Sequence, residues 1–318
     1  MREKEMQKLP LIVLTGPTAV GKTALSVKLA KAVNAEIISA DSMQVYRHMD
    51  IGSAKVTKEE MDGVCHHLID VLEPEEEFNV VLFQKLAREA IADIVSRGKL
   101  PLLVGGTGFY IQSVLYDIDF TETEENDAFR KELEAFAKKE GAQKLHDRLA
   151  AVDPKAAEQI HPNNVKRVIR ALEFYEQTGS QISLHNETER QKEPAYRAKY
   201  FVLTDDRAKM YERIDRRVDA MMEAGLVEEV RALRDRGLKR DMVSMQGLGY
   251  KEILAFLDGE YDLERAVYLI KRDTRHFAKR QLTWFKREKN VIWVDRGQFL
   301  DENNILQFLT CQVEELRQ

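Results

Sequence analysis

A chain of 318 residues is long enough to bury one large core, or one core with a smaller satellite domain. Its 44% hydrophobic and 32% charged residues are ordinary for a globular protein, and no run approaches the roughly 18 apolar residues of a membrane span. The N-terminal MREKEMQKLP lacks an apolar stretch long enough for a secretory signal, and the two cysteines, Cys65 and Cys311, lie far apart without a CxxC pair. Those features exclude a disulfide framework and a zinc module, predict no membrane association, and fit a reducing cytoplasm.

Along the chain, the apolar run 11–15 ends in glycine and predicts a buried strand, followed by a helix over 23–33 with Leu25, Leu29 and Val33 on one stripe. A short strand at 36–39, a helix over 80–96 and a strand at 100–104 closed by Gly105-Gly106 continue the alternation, which predicts a parallel sheet. From 119 the strands vanish, and 127–150, 154–160 and 163–177 all pattern as helices. A strand returns at 200–204, followed by a charged helix over 207–236, another over 263–286, a strand at 291–294 and a last helix over 304–316. The expected fold class is α/β: a P-loop NTPase-like parallel sheet core, discontinuous over 1–118 and 199–318, with an all-helical domain inserted at 119–198.

Gly16, Pro17, Thr18, Ala19, Val20, Gly21, Lys22 and Thr23 match G-x-x-x-x-G-K-[ST], between a strand and a helix as that motif requires. Backbone N–H groups of such a loop curl around phosphate oxygens, and the helix N-terminus adds its dipole. Lys22 would neutralise the terminal phosphate and Thr23 would coordinate Mg2+. The loop implies a di- or triphosphate without saying which.

Just beyond the second strand comes Ala40-Asp41-Ser42-Met43-Gln44, which puts a carboxylate at the ligand-binding edge of an open α/β sheet. Asp41 has three readings from position alone: a magnesium ligand, a general base, or the N-cap of a following turn. The third strand runs into Gly105-Gly106-Thr107-Gly108 where an ordinary NTPase would carry a magnesium-binding aspartate, which argues against simple ATP hydrolysis.

Eight blocks in order carry a resemblance over most of the chain: GPTAVGKT (16–23), ADSMQVY (40–46), MDIGSAK (49–55), HHLIDVLEP (66–74), LLVGGTGFY (102–110), NNVKRVIRALE (163–173), MQGLGYKE (245–252) and TRHFAKRQLTWFKR (274–287). In these blocks the chain resembles the bacterial tRNA dimethylallyltransferases. The resemblance implies that the P-loop holds dimethylallyl diphosphate, and that the acceptor is the exocyclic amine of the adenosine 3′ to the tRNA anticodon. It also implies Asp41 as general base, with Thr107 on the glycine loop contacting acceptor or donor. An arginine of Arg213-Ile214-Asp215-Arg216-Arg217 would stabilise the departing diphosphate, with Arg217 favoured over Arg213.

The resemblance further implies tRNA contacts at Asp41, Ser42, Met43, Gln44 and Thr107, then at Lys166, Arg167 and Arg170, and at Gln246, Gly247, Gly249 and Lys251. A base modified within a folded anticodon loop has to be drawn out of its stack, and RNA readers favour such single-stranded loops. The net charge of −5 does not exclude RNA, because Lys271, Arg272, Arg275, Lys279, Arg280, Lys286, Arg287 and Lys289 crowd one segment while acid collects at 73–77 and 122–127. Within that segment Trp284 and Phe285 pattern as core. His66 and His67 pattern as structural or polar contacts, since adjacent histidines point to different sides of a strand. No obligate protein partner is evident, and a monomer is expected. The C-terminal zinc finger of eukaryotic relatives has no counterpart here. The competing readings are a nucleoside-monophosphate kinase, an isopentenyltransferase acting on free AMP or ADP, and a non-catalytic RNA-binding regulator.

Overall fold

The computed structural model describes residues 8–120 and 127–316. Most of the acidic run at 122–127 and the first residues of the chain lie outside them. The elements, in order, are β1 (Pro10–Thr15), α1 (Lys22–Val33), β2 (Ala35–Ala40), α2 (Lys58–Met61), β3 (His66–His67), α3 (Val80–Ser96), β4 (Leu100–Gly105) and α4 (Gly108–Leu115). There follow α5 (Asp127–Glu140), α6 (Ala142–Val152), α7 (Pro154–Gln159), α8 (Val165–Thr178) and α9 (Ile182–Gln191). The chain ends with β5 (Arg197–Thr204), α10 (Arg207–Glu223), α11 (Leu226–Asp235), α12 (Tyr250–Leu257), α13 (Leu263–Phe285), β6 (Val291–Asp295) and α14 (Glu302–Glu314).

The six strands form one sheet in the order β3-β2-β4-β1-β5-β6, with every pairing parallel. Central strands β4 and β1 are apolar on both faces because helices cover both, and Leu11 to Leu14 are fully buried. One layer of core gathers Val13, Ile38, Leu103, Val202, Phe83, Ile111 and Phe285; the other gathers Ile12, Leu14, Leu29, Ile37, Phe201 and Leu309. Packing against both faces stabilises the P-loop strand more than strand propensity does.

The described chain divides into two compact units, Met1–Asp117 with Pro194–Gln318, and Ile118–Glu193. The first unit resumes at Pro194 rather than at 199, because Arg197 and Ala198 already pair with Pro10 and Leu11 in the sheet. The second unit is wholly helical, with its own core of Leu133, Leu145, Leu149, Val168, Ile169 and Leu172. Buried Asp153 caps α7 through the Ala156 N–H at 2.9 Å and takes the Ser183 hydroxyl at 2.7 Å, which fastens α9 to it. Arg130 holds Glu173 at 2.8 Å.

Several boundaries depart from the sequence pattern, each for a local reason. The stretch 127–150 breaks at Gly141 (φ 93°), and the long helix expected over 207–236 breaks at Gly225 (φ 95°). Edge strand β3 is too short to show a period, and α9 and α4 went unforeseen. No helix among the described residues is long and apolar enough to cross a membrane.

Candidate active site

The carboxyl ends of β1, β2 and β4 meet at one edge. Thr15 pairs in register with Gly105, and Gly105 in turn with Ala40, so the P-loop, Asp41 and the 106–108 turn leave the sheet side by side. The Thr15 hydroxyl donates to the Gly105 carbonyl at 2.7 Å, and the Thr107 N–H to the Ala40 carbonyl at 3.4 Å.

In the P-loop, Pro17, Ala19 and Val20 are buried and Ala19 takes a left-handed backbone (φ 61°), which curls the loop ahead of α1. The Lys22 ammonium donates to the carbonyls of Gly16 and Pro17, both at 2.9 Å. Crowding by protein pushes its pKa down to about 7, with Arg217 adding to the shift and the Asp41 carboxylate opposing it. Thr23 is exposed on the first turn of α1, and no hydrogen bond occupies its hydroxyl among the described residues.

The two arginines of α10 separate. Arg213 donates to the Ala19 carbonyl at 2.8 Å and to Asp205 at 2.7 Å, so it shapes the loop from outside. Arg217 reaches the Thr18 hydroxyl at 3.5 Å and lies within the field of Lys22 and Asp41.

Asp41 accepts the Met43 N–H at 2.8 Å and the Gln44 N–H at 3.4 Å, both on Oδ1, so the capping reading holds for one oxygen. Ser42 is half-buried beside it, Met43 packs where a Cβ on Gly247 would stand, and the Gln44 amide donates to the Ala54 carbonyl at 3.2 Å. Thr107 is half-buried at the N-cap of α4, yet its hydroxyl does not cap the helix. Gln246 donates to the Arg240 carbonyl, the Gly249 N–H donates to Glu252 at 2.8 Å, and Lys251 lies 3.5 Å from Glu252. In the helical unit, Lys166, Arg167 and Arg170 are exposed on α8, with Lys166 and Arg170 a turn apart.

Two residues of α13 enter this edge without having been expected there. Gln281, 6% exposed, accepts the Thr18 N–H at 2.9 Å and donates to the Gly106 carbonyl at 2.9 Å, bridging the P-loop to the glycine turn. Trp284 is half-buried and packs against the core cluster that holds fully buried Phe285. Gly106 and Gly108 lie directly under Gln281 and Trp284, where any Cβ would collide with those side chains. The glycine turn was a visible signal of close approach; what approaches it was not.

Outward from Trp284, a cavity of about 480 Å³ is lined by His276, Lys279, Arg280, Thr283, Trp284 and Arg287. Phe109, 40% exposed, meets Trp284 edge to face at 6.2 Å. The basic segment is therefore not uniform. Lys271 pairs with Asp219 and Arg275 with Asp215, each at 2.5 Å, and Arg272 pairs with Asp273 at 2.8 Å. No ion pair holds Lys279, Arg280 or Arg287 among the described residues.

The one Cys/His/acid grouping of metal-ligand spacing among the described residues is Glu36 on β2, His67 on β3 and Cys65 just before β3. It is an ion-pair cluster: Glu36 takes Arg97 at 2.5 Å, Lys99 at 2.8 Å and His67 at 2.8 Å. The Arg97 hydrogen bond, against the opposing cost of burial, holds the Glu36 carboxyl far below the usual carboxylate range, with Lys99 and His67 adding to it.

A P-loop at the carboxyl edge of a parallel sheet, beside a carboxylate and a glycine turn, defines the class as a P-loop α/β enzyme. Residues 44–288 match the family described as IPP transferase and 9–74 the one described as isopentenyl transferase. The chain belongs to the IPP transferase family. It is 63% identical over 297 residues to the tRNA dimethylallyltransferase of Lachnoclostridium phytofermentans, covering 93% of this chain and 95% of that one. It is 55% identical to that of Carboxydothermus hydrogenoformans, covering 90% and 92%. Among solved structures, the tRNA isopentenylpyrophosphate transferase of Bacillus halodurans superposes with a TM-score of 0.72 at 48% identity, covering 98% of each chain. A eukaryotic dimethylallyltransferase caught acting on tRNA gives 0.80 at 29% identity, covering 95% of this chain and 77% of that one.

Proposed function

We propose that this chain, a transferase of the family that moves dimethylallyl groups to tRNA, acts on the exocyclic amine of the adenosine 3′-adjacent to the anticodon, using dimethylallyl diphosphate. The observation that carries the reading is the shared edge at which Lys22, Thr18 and Arg217 stand beside Asp41 and the Gly106–Thr107 turn. The donor diphosphate would lie in the P-loop, held by backbone N–H groups, Lys22 and Arg217, with Arg213 keeping the loop in shape. The amine nitrogen attacks the allylic carbon, the carbon–oxygen bond breaks, and its electron pair leaves on the diphosphate. The amine's proton passes to the Asp41 carboxylate, which matters because an adenine amine is a poor nucleophile. Lys22 and Arg217 stabilise the charge that develops on the leaving oxygen.

Magnesium fits this site through the exposed Thr23 hydroxyl. Held there, it would supply charge neutralisation to the bound diphosphate. The cavity of Lys279, Arg280, Arg287 and Trp284, with Phe109 against the Trp284 ring, has the mixture of cations and aromatic faces that suits single-stranded RNA. Lys166, Arg167 and Arg170 would hold tRNA phosphates from the helical unit.

The test is incubation of the enzyme with unmodified tRNA and labelled dimethylallyl diphosphate, followed by nucleoside mass analysis. Label on the adenosine next to the anticodon is expected. Label on free AMP or ADP, or phosphoryl exchange between nucleotides, would replace this reading with one of its rivals.

A further inference from the structure

Glu229 lies on α11, outside every sequence block that resembles the family, yet its carboxylate accepts four hydrogen bonds. The N–H groups of Asp50 and Ile51 donate to Oε2 at 2.9 and 2.8 Å; the Gly52 N–H and the Tyr250 hydroxyl donate to Oε1 at 3.0 and 2.7 Å. Three successive backbone N–H groups turned on one point make an anion-binding concavity, and here an internal carboxylate fills it. Bonds to an ionised acceptor are the stronger kind, so this is a firm clamp on a segment with no regular secondary structure.

The clamped loop leads straight to an acceptor-side residue. Two residues past Gly52, the Ala54 carbonyl takes the Gln44 amide at 3.2 Å. Lys55 fastens the far end, donating to the Tyr46 carbonyl at 2.7 Å and to Asp50 and Asp70 at 2.6 Å each. The Tyr250 ring lies 2.6 Å from where a Cβ on Gly52 would stand, so the loop seats directly on that ring. With one N–H of Gln44 spent on Ala54, its Oε1 and second N–H remain. That is the acceptor–donor pair an adenine edge complements.

We infer that Glu229 is a positioning residue for the acceptor: by fixing residues 50–54 it makes the Ala54 carbonyl hold Gln44 in the one orientation that reads an amino-bearing base. The inference rests on the reading of Gln44 as an acceptor contact. Glu229 itself touches no substrate.

A double-mutant cycle tests it, with steady-state kinetics on unmodified tRNA and dimethylallyl diphosphate. Gln44→Ala is expected to raise KM for tRNA about tenfold, the loss of roughly one hydrogen bond to a base. Glu229→Gln replaces one of the two accepting oxygens by an NH2 group, which then faces either the Asp50 and Ile51 N–H groups or the Gly52 N–H, and should raise it similarly, with KM for the donor unchanged. The double variant should be no worse than the worse single one, because both act through one amide. Multiplied effects, or an equal rise in both KM values, overturn the inference and leave the reading of Gln44 intact. No effect of Gln44→Ala overturns both. If Glu229→Gln does not fold, Tyr250→Phe, which removes one of the four bonds, runs the same cycle with an expected rise of about threefold.

Discussion

Asp41 carries two duties on two oxygens. Oδ1 accepts the Met43 and Gln44 N–H groups, and no hydrogen bond occupies Oδ2 among the described residues. Asp41→Asn separates the duties, since an amide oxygen keeps the turn while the charge and basicity go. Its kcat should fall at least about a hundredfold with donor affinity little changed, the lower range for losing a general base. Near-normal turnover in Asp41→Asn would reduce Asp41 to a cap. Lys22 yields a second prediction at this scale. Its pKa of about 7 leaves it largely neutral at pH 8 in the free enzyme, whereas a bound diphosphate favours the charged form. Donor binding at pH 8 should therefore take up a proton, and affinity should weaken as pH rises from 7 toward 10, by at most about tenfold per unit. Calorimetry in two buffers of different ionisation enthalpy measures the uptake; none at pH 8 would mean Lys22 is already charged without ligand.

At the scale of elements, Gln281 pins α13 to both halves of the site. Gln281→Leu leaves the Gly106 carbonyl unpaired in a buried place, a cost of about 1–3 kcal/mol, and takes the partner from the part-buried Thr18 N–H. A lower melting temperature and a donor KM raised about tenfold are expected, and an unchanged donor KM would show that the bridge does not set the P-loop. This residue also marks where the sequence stops being legible. The strand–GPTAVGKT–helix unit was readable because its signal is local: an apolar run, a fixed glycine spacing, then a helical stripe. The same was true of Asp41 at the end of β2. Gln281 sits among lysines and arginines on an amphipathic helix, and only the packing of α13 over Gly106 and Gly108 gives it a role. Glu229 is silent for the same reason, since it meets residues 50–52 across a tertiary contact. Trp284 packs against the core with part of its surface open, a depth that an aromatic at helical spacing does not specify. The helix break at Gly225 was hidden by an unbroken charged periodicity on both sides of it.

At the scale of the molecule, charge organises binding without setting the net sign. The chain is acidic by five charges, and its cations are sorted: Lys271 and Arg275 are spent on Asp219 and Asp215, while Lys279, Arg280 and Arg287 line a cavity. Only the second group is available to displace counterions from RNA. Replacing Lys279, Arg280 and Arg287 together by alanine should therefore flatten the plot of log Kd for tRNA against log salt by about 2, at about 0.7 per phosphate on a single strand. Replacing Lys271 and Arg275 should leave that slope alone, because their partners already neutralise them. Lys166→Ala with Arg170→Ala should weaken tRNA binding and leave donor affinity as it was. Filter binding from 50 to 300 mM salt, with calorimetric donor titrations alongside, reads all three. Equal slopes for the two α13 variants would mean that the cavity does not hold RNA phosphates, and the aromatic pair Phe109 and Trp284 would then have to account for RNA affinity there by stacking alone.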